Sequence, residues 1–172
     1  MLQPAESSWI EPLVLALYRP TIQLATLLVR DYAVAQDIVQ EAFVRVWLSP
    51  RTPREINAFR PWLYKTVVNL ARDHQRRQTR WARLRFGRAA SADPMDVAEG
   101  REVDAELGDA IRGLSPRERE AVYIRFFEDA PFDEVGRIIG VRTGTARVLV
   151  HRALAKLRRR LDPSSGNGVT EP

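Results

Sequence analysis

The residues of this chain best suited to chemistry are arginines beside hydroxyls and aromatics. Arg142, Thr143, Thr145 and Arg147 fall together, with His151 and Arg152 just beyond. A guanidinium presents a planar donor fork that fits phosphate oxygens and base edges. A second group runs from Phe59 through Trp62, Tyr64, Lys65, Asn69, Arg72 and Asp73 to Arg76 and Arg77. Aromatics interleaved with cations and an amide suit unstacked bases and the strand that carries them. Phe59 and Trp62 could equally fill a core. There is no cysteine, so disulfides, thiolate metal sites and thiol nucleophiles are excluded together. His74 and His151 are the only histidines and lie far apart. No HExxH, no paired metal-ligand spacing and no GxxxxGK[ST] phosphate loop occurs. The expectation is a non-enzymatic polyanion binder with no cofactor and no metal.

Helices must position these groups. Ile10, Leu13, Val14 and Leu17 recur at helical spacing, and Pro20 is expected to interrupt or restart that helix. From Ala33, the apolar positions Ile38, Val39, Ala42, Phe43, Val46 and Trp47 form one face, with Asp37, Gln40, Glu41 and Arg45 opposite. Alone, this is an ordinary amphipathic helix. Pro50 and Pro53 mark a loop, and a long helix is expected from about Ala58 to Gln78. Periodicity then fades from Thr79 to Gly100. Ser115-Pro116-Arg117-Glu118 reads as a helix start with a capping box. A turn at Asp129 to Pro131 separates that helix from a short one, Phe132 to Ile139, which ends at Gly140. A last helix opens at Thr143, expected to be its cap, and runs to Leu161.

The segment Phe132 to Leu157 carries a helix-turn-helix pattern. Val135, Ile138 and Ile139 give an inner face, Gly136 a close crossing, Gly140 a sharp turn and Val141 an apolar plug. Such a unit sets the start of its second helix in the major groove. A plain helical hairpin with a solvated arginine face is the alternative.

The 172 residues carry a net charge of +5, and 25 of the 27 basic residues are arginine. Residues 51–90 carry eleven bases and two acids, 91–111 one base and seven acids, and 112–172 twelve bases and eight acids. Two basic blocks around an acidic one suggest two polyanion-binding modules on a linker. No uninterrupted run of 18 apolar residues occurs, so no membrane insertion is expected, and the composition is that of a soluble, cytoplasmic protein. The expected fold class is all-α: two small helical domains joined by a flexible acidic linker, the second holding the helix-turn-helix. The boundaries read as 1–80, linker 81–104, 105–162 and a disordered tail 163–172.

The order of the pieces resembles bacterial sigma-70 family sigma factors of the extracytoplasmic-function group. DIVQEAFVRVW looks like their core-binding helix in region two. FRPWLYKTVVNLARDHQRR looks like their promoter-melting and minus-ten-reading helix, and LSPREREAVYIRFFEDAPFDEVGRIIGVRTGTARVLVHRALAKLRRRL looks like their region four. The resemblance covers roughly residues 8–78 and 102–161. It implies that Asp37, Gln40, Glu41 and Arg45 face core RNA polymerase. It implies that Asn69 holds a flipped-out base assisted by Asp73, that Arg72, Arg76 and Arg77 hold phosphates, and that Trp62, Tyr64 and Lys65 lie near the separated strands. Arg125 and Arg142 would approach the minus-thirty-five backbone, and Arg147, Val148, His151 and Arg152 its major groove. An anti-sigma partner is also implied. The chain departs from the family at Pro53 to Asn57, where a glycine-serine loop is usual, and at Val148 and His151. At Pro131 a serine cap is usual, which leaves Asp129 as the expected cap of the next helix. The competing reading is a two-domain helix-turn-helix regulator acting without polymerase, which has no need of the Asp37 to Trp47 helix. A helical enzyme acting on nucleic acid is a third reading, and a nuclease assay decides it.

Overall fold

The computed structural model describes residues 9–86 and 105–161, and all regular structure among them is helical. The acidic linker from residue 87 onward and the tail 163–172 lie outside the described residues. The chain divides into two compact units, residues 1–97 and 98–172.

The first unit has three helices: α1 (Ile10–Val29), α2 (Tyr32–Leu48) and α3 (Ile56–Phe86). Pro20 lies inside α1, which continues through it rather than restarting. Proline there removes only one helical hydrogen bond, and the helix is held by burial of Leu17, Leu24, Ala25 and Leu28 against its neighbours. By length and composition alone α1 could cross a membrane; here its apolar face packs on α2 and α3. It ends at Arg30 in the left-handed region (φ 61°), whose N–H donates to the Thr26 carbonyl at 2.8 Å. Asp31 then caps α2, accepting from the Val34 N–H at 3.1 Å. Thr52 closes the other end of α2 by donating its hydroxyl to the Val46 carbonyl at 2.5 Å. The core gathers Leu24, Leu28, Val39, Val46, Phe59, Leu63, Tyr64 and Val67. Gln75 ties α3 back to α1 by donating to the Leu28 carbonyl at 2.8 Å.

α3 is longer than the helix expected from about Ala58 to Gln78. The helix persists to Phe86, because Thr79-Arg-Trp-Ala-Arg-Leu-Arg-Phe86 contains good helix formers and no breaker before Gly87. Loss of amphipathic periodicity does not by itself mark where a helix unwinds.

The second unit holds α4 (Ala105–Arg112), α5 (Pro116–Phe126), α6 (Phe132–Ile139) and α7 (Thr143–Leu161). The capping box is present: the Ser115 hydroxyl accepts from the Glu118 N–H, and Glu118 accepts from the Ser115 N–H at 2.8 Å. The same Glu118 oxygen takes the Lys156 ammonium at 2.8 Å, joining α5 to α7. Leu114, Val122, Ala153 and Leu157 pack together beside this pair. Arg117 donates to the Ile139 carbonyl at 3.2 Å and so serves the C-terminal end of α6.

Two expected caps are corrected. Thr143 is the first residue of α7, and the carbonyl that opens the helix is that of Arg142, which accepts from the Ala146 N–H at 3.0 Å. Asp129 does not cap α6. Pro131 occupies the cap position with no side-chain bond, while Asp129 sits at φ 50° in the preceding turn and pairs with Arg125.

Candidate nucleic-acid interface

On α3 the turn spacing sorts the sequence cluster into two sides. Trp62, Lys65, Asn69, Arg76 and Arg77 are exposed, and Arg72 and Asp73 half-buried. Positions 62, 65, 69, 73 and 76 follow three- and four-residue steps and form one stripe. Asp73 pairs with Arg76 at 3.1 Å, which directs that guanidinium along the stripe. Tyr64 is corrected: it is 1% exposed and belongs to the core with Leu63, Val67 and Ala71. Two residues beyond Trp62 is about 200° around a helix, so the two aromatics cannot share a surface. Phe59, fully buried, is core as well and meets Trp9 edge-on at 6.1 Å. Sequence reading stopped short of Trp81 and Arg80, which extend the exposed basic surface along the last turns of α3.

On α2, Asp37, Gln40, Glu41 and Arg45 are all exposed, opposite the buried Ile38, Val39, Ala42 and Val46. Glu41 and Arg45 form an ion pair one turn apart. Val44, Trp47 and Leu48 add exposed apolar area to this helix. A helix that leaves both charge and large apolar groups uncovered carries a surface suited to a protein partner.

In the second unit, α6 and α7 form the helix-turn-helix. Gly136 is where they come closest: a Cβ there would lie 2.7 Å from the Val141 carbonyl oxygen. Gly140 takes the left-handed conformation (φ 73°) that ends α6. Ala146, Val150 and Ala153 face inward from α7. Arg142, Thr143, Thr145, Arg147, Val148, His151 and Arg152 are all exposed along its outer side and N-terminal end. The free N–H groups at that end also favour an anion.

Arg125 is held differently. Its guanidinium pairs with Asp129 at 3.2 Å and lies over the rings of Phe126 (5.7 Å) and Phe132 (5.3 Å). The Arg147 guanidinium lies over the same Phe132 ring at 5.2 Å. Phe132 was not singled out in the sequence; its only signal there is an aromatic at the opening of the helix-turn-helix. No group of three or more His, Cys, Asp or Glu side chains is placed to hold a metal among the described residues.

Burial pushes the Glu118 carboxyl up, but hydrogen bonds from Lys156 and from the backbone and hydroxyl of Ser115 outweigh it, and the group titrates below the ordinary glutamate value. Tyr123 is pushed well above the ordinary phenol range by burial and by the charge of Glu128.

Two family descriptions match the chain: sigma-70 region 2 over residues 13–81 and sigma-70 region 4 over residues 110–159. The RNA polymerase sigma factor CarQ of Myxococcus xanthus is 36% identical over 135 residues, which span 76% of each chain. The RNA polymerase sigma factor SigV of Bacillus subtilis is 30% identical over 140 residues, 79% of this chain and 81% of the relative. In fold, the chain resembles the sigma factor RpoE of Bartonella quintana, solved in complex with the anti-sigma factor NepR. That likeness has a TM-score of 0.73 at 19% identity and covers 89% of this chain and 96% of the other.

Proposed function

This chain belongs to the sigma-70 family, in the extracytoplasmic-function group of bacterial RNA polymerase sigma factors, and from that premise we propose which of its faces does what. It binds core RNA polymerase and directs promoter recognition. In our reading the exposed polar face of α2, with Asp37, Gln40, Glu41 and Arg45, docks on the polymerase. The stripe on α3 takes the separated strands at minus ten. Asn69 captures an unstacked base with Asp73 beside it, Trp62 and Lys65 adjoin the melted region, and Arg72, Arg76 and Arg77 hold phosphates. Capture offsets the few kcal/mol that unstacking costs. The outer side of α7 reads the minus-thirty-five duplex. Arg142 and Arg125 approach its backbone, while Thr143, Thr145, Arg147, Val148, His151 and Arg152 face the groove. The region-two unit is residues 1–80, with α3 running on to Phe86, and the region-four unit is residues 105–162. The protein performs no catalytic step of its own and works in the cytoplasm with the polymerase. An anti-sigma factor restrains it when free.

The observation that carries this reading is the coexistence, on one chain, of an uncovered charged face on α2 with an exposed basic stripe on α3 and an exposed arginine-rich side on α7. A regulator acting alone needs only the second unit. Pull-down with purified core enzyme, followed by run-off transcription from a random-promoter library, tests it. Association and a new, sequence-defined set of start sites are expected. A protein that binds duplex but neither associates with core nor changes initiation overturns the reading.

A further inference from the structure

We propose that Phe132 is a positioning residue for duplex recognition, its ring a shared platform that orders the guanidiniums of Arg125 and Arg147. This rests on the reading of α7 as the duplex reader. The two guanidiniums come from different helices, α5 and α7, and lie 5.3 Å and 5.2 Å from the centre of this one ring. Both distances are within the range in which a cation is held by the ring quadrupole. Arg125 is fixed a second time, by Asp129 at 3.2 Å and by the Ala130 carbonyl at 3.5 Å. One of the two guanidiniums on this ring is therefore itself tethered, and the same ring holds the arginine of α7. Phe132 is only half-buried, so its placement is not explained by core filling. It opens α6 directly after Pro131, whose ring fixes the backbone at the entry (φ −66°).

The consequence for recognition is physical. Arginine loses much rotamer freedom when it engages a base edge, and a guanidinium already parked on a ring loses less. Two cations gathered on one aromatic also repel each other until a phosphate or base edge comes between or beside them, which favours the bound state. Leucine at 132 keeps bulk and removes the quadrupole; tyrosine keeps the ring.

The test uses holoenzyme assembled from core enzyme and the full chain, with transcription read from promoters randomised at the minus-thirty-five element. Phe132→Leu is expected to lose about two- to fivefold discrimination, at the same base positions that Arg147→Ala relaxes, and to add no further loss of discrimination when combined with Arg147→Ala. Phe132→Tyr should retain the original preference, which separates loss of the ring from damage to the fold. Three results overturn the proposal while leaving the duplex-reading role of α7 intact. They are unchanged discrimination for Phe132→Leu, additive losses of discrimination in the double variant, and Phe132→Tyr as impaired as Phe132→Leu. An Arg147→Ala holoenzyme with unchanged base preference overturns both.

Discussion

Asn69 stands exposed on α3, one turn before Asp73 and one turn after Lys65, so its side-chain amide is open to a ligand and replacing it leaves the core beneath undisturbed. Asn69→Ala is therefore expected to leave thermal stability and duplex binding unchanged while open-complex formation falls about tenfold, the loss of one well-made base contact. Permanganate footprinting against duplex binding measures the split, and equal losses in both would remove Asn69 from base capture. Glu41 allows a complementary experiment on α2. Its ion pair with Arg45 is exposed on both sides, and such pairs contribute about 1 kcal/mol or less to stability. Glu41→Lys or Asp37→Lys should thus fold normally, yet weaken core binding at least tenfold by placing like or unmatched charge in the interface. The second unit's duplex binding should not change. Core affinity that is indifferent to both reversals would move the docking surface elsewhere, with the exposed Val44, Trp47 and Leu48 as the next candidates. Tyr64 shows the limit of reading residue types alone: an aromatic between a tryptophan and a lysine looks like a base stacker until the turn angle sends it inward.

At the scale of elements, the two glycines of the helix-turn-helix make separable demands. At Gly136 a methyl group would meet the Val141 carbonyl at 2.7 Å, a backbone atom that cannot swing away. At Gly140 the space is empty, but the backbone lies at φ 73°. Gly136→Ala should force α6 and α7 apart and destabilise the unit by about 1–3 kcal/mol, with loss of duplex binding. Gly140→Ala should cost about 1–2 kcal/mol through conformation alone and leave duplex recognition intact at temperatures below unfolding; calorimetry and duplex titration distinguish them. The Glu118 carboxyl links α5 to α7 and is held below its ordinary value. A depressed carboxyl contributes stability that is present above the unfolded value, near 4.3, and is lost as pH falls through the folded value. Acid unfolding of the second unit should accordingly lose part of its pH dependence in Glu118→Gln, whereas Arg117→Gln should not alter it. These features were legible before the structure because they are local: a capping box, a turn glycine and a close-crossing glycine each announce themselves within five residues. The persistence of α3 to Phe86 was not, since residues 79–86 carry no apolar periodicity to read. The Arg125–Phe132–Arg147 cluster was hidden too, because its members come from three helices and meet only when α5, α6 and α7 pack. Thr143 and Asp129 misled for a related reason: both residue types favour caps, but Arg142 and Pro131 occupy the cap positions.

At the scale of the whole molecule, the sequence places a basic block in each unit, with an acidic block of sequence between them. The helices α3 and α7 belong to different compact units. Free-energy changes at sites that act independently add within about 0.3–0.5 kcal/mol. The holoenzyme variant Asn69→Ala/Arg147→Ala is therefore expected to lose promoter activity as the product of the two single losses, with the Asn69 loss confined to melting and the Arg147 loss to base preference. Raising salt should lower duplex binding in proportion to the phosphates engaged. Replacing the exposed Arg158 and Arg159 should flatten that salt slope by about 0.9 for each phosphate contact removed while leaving sequence preference untouched. Kinetics of open-complex formation across a salt series check both expectations together. A double variant much less impaired than the product would mean that the two units couple through the polymerase, so that a promoter is read as one cooperative grip rather than as two separate contacts.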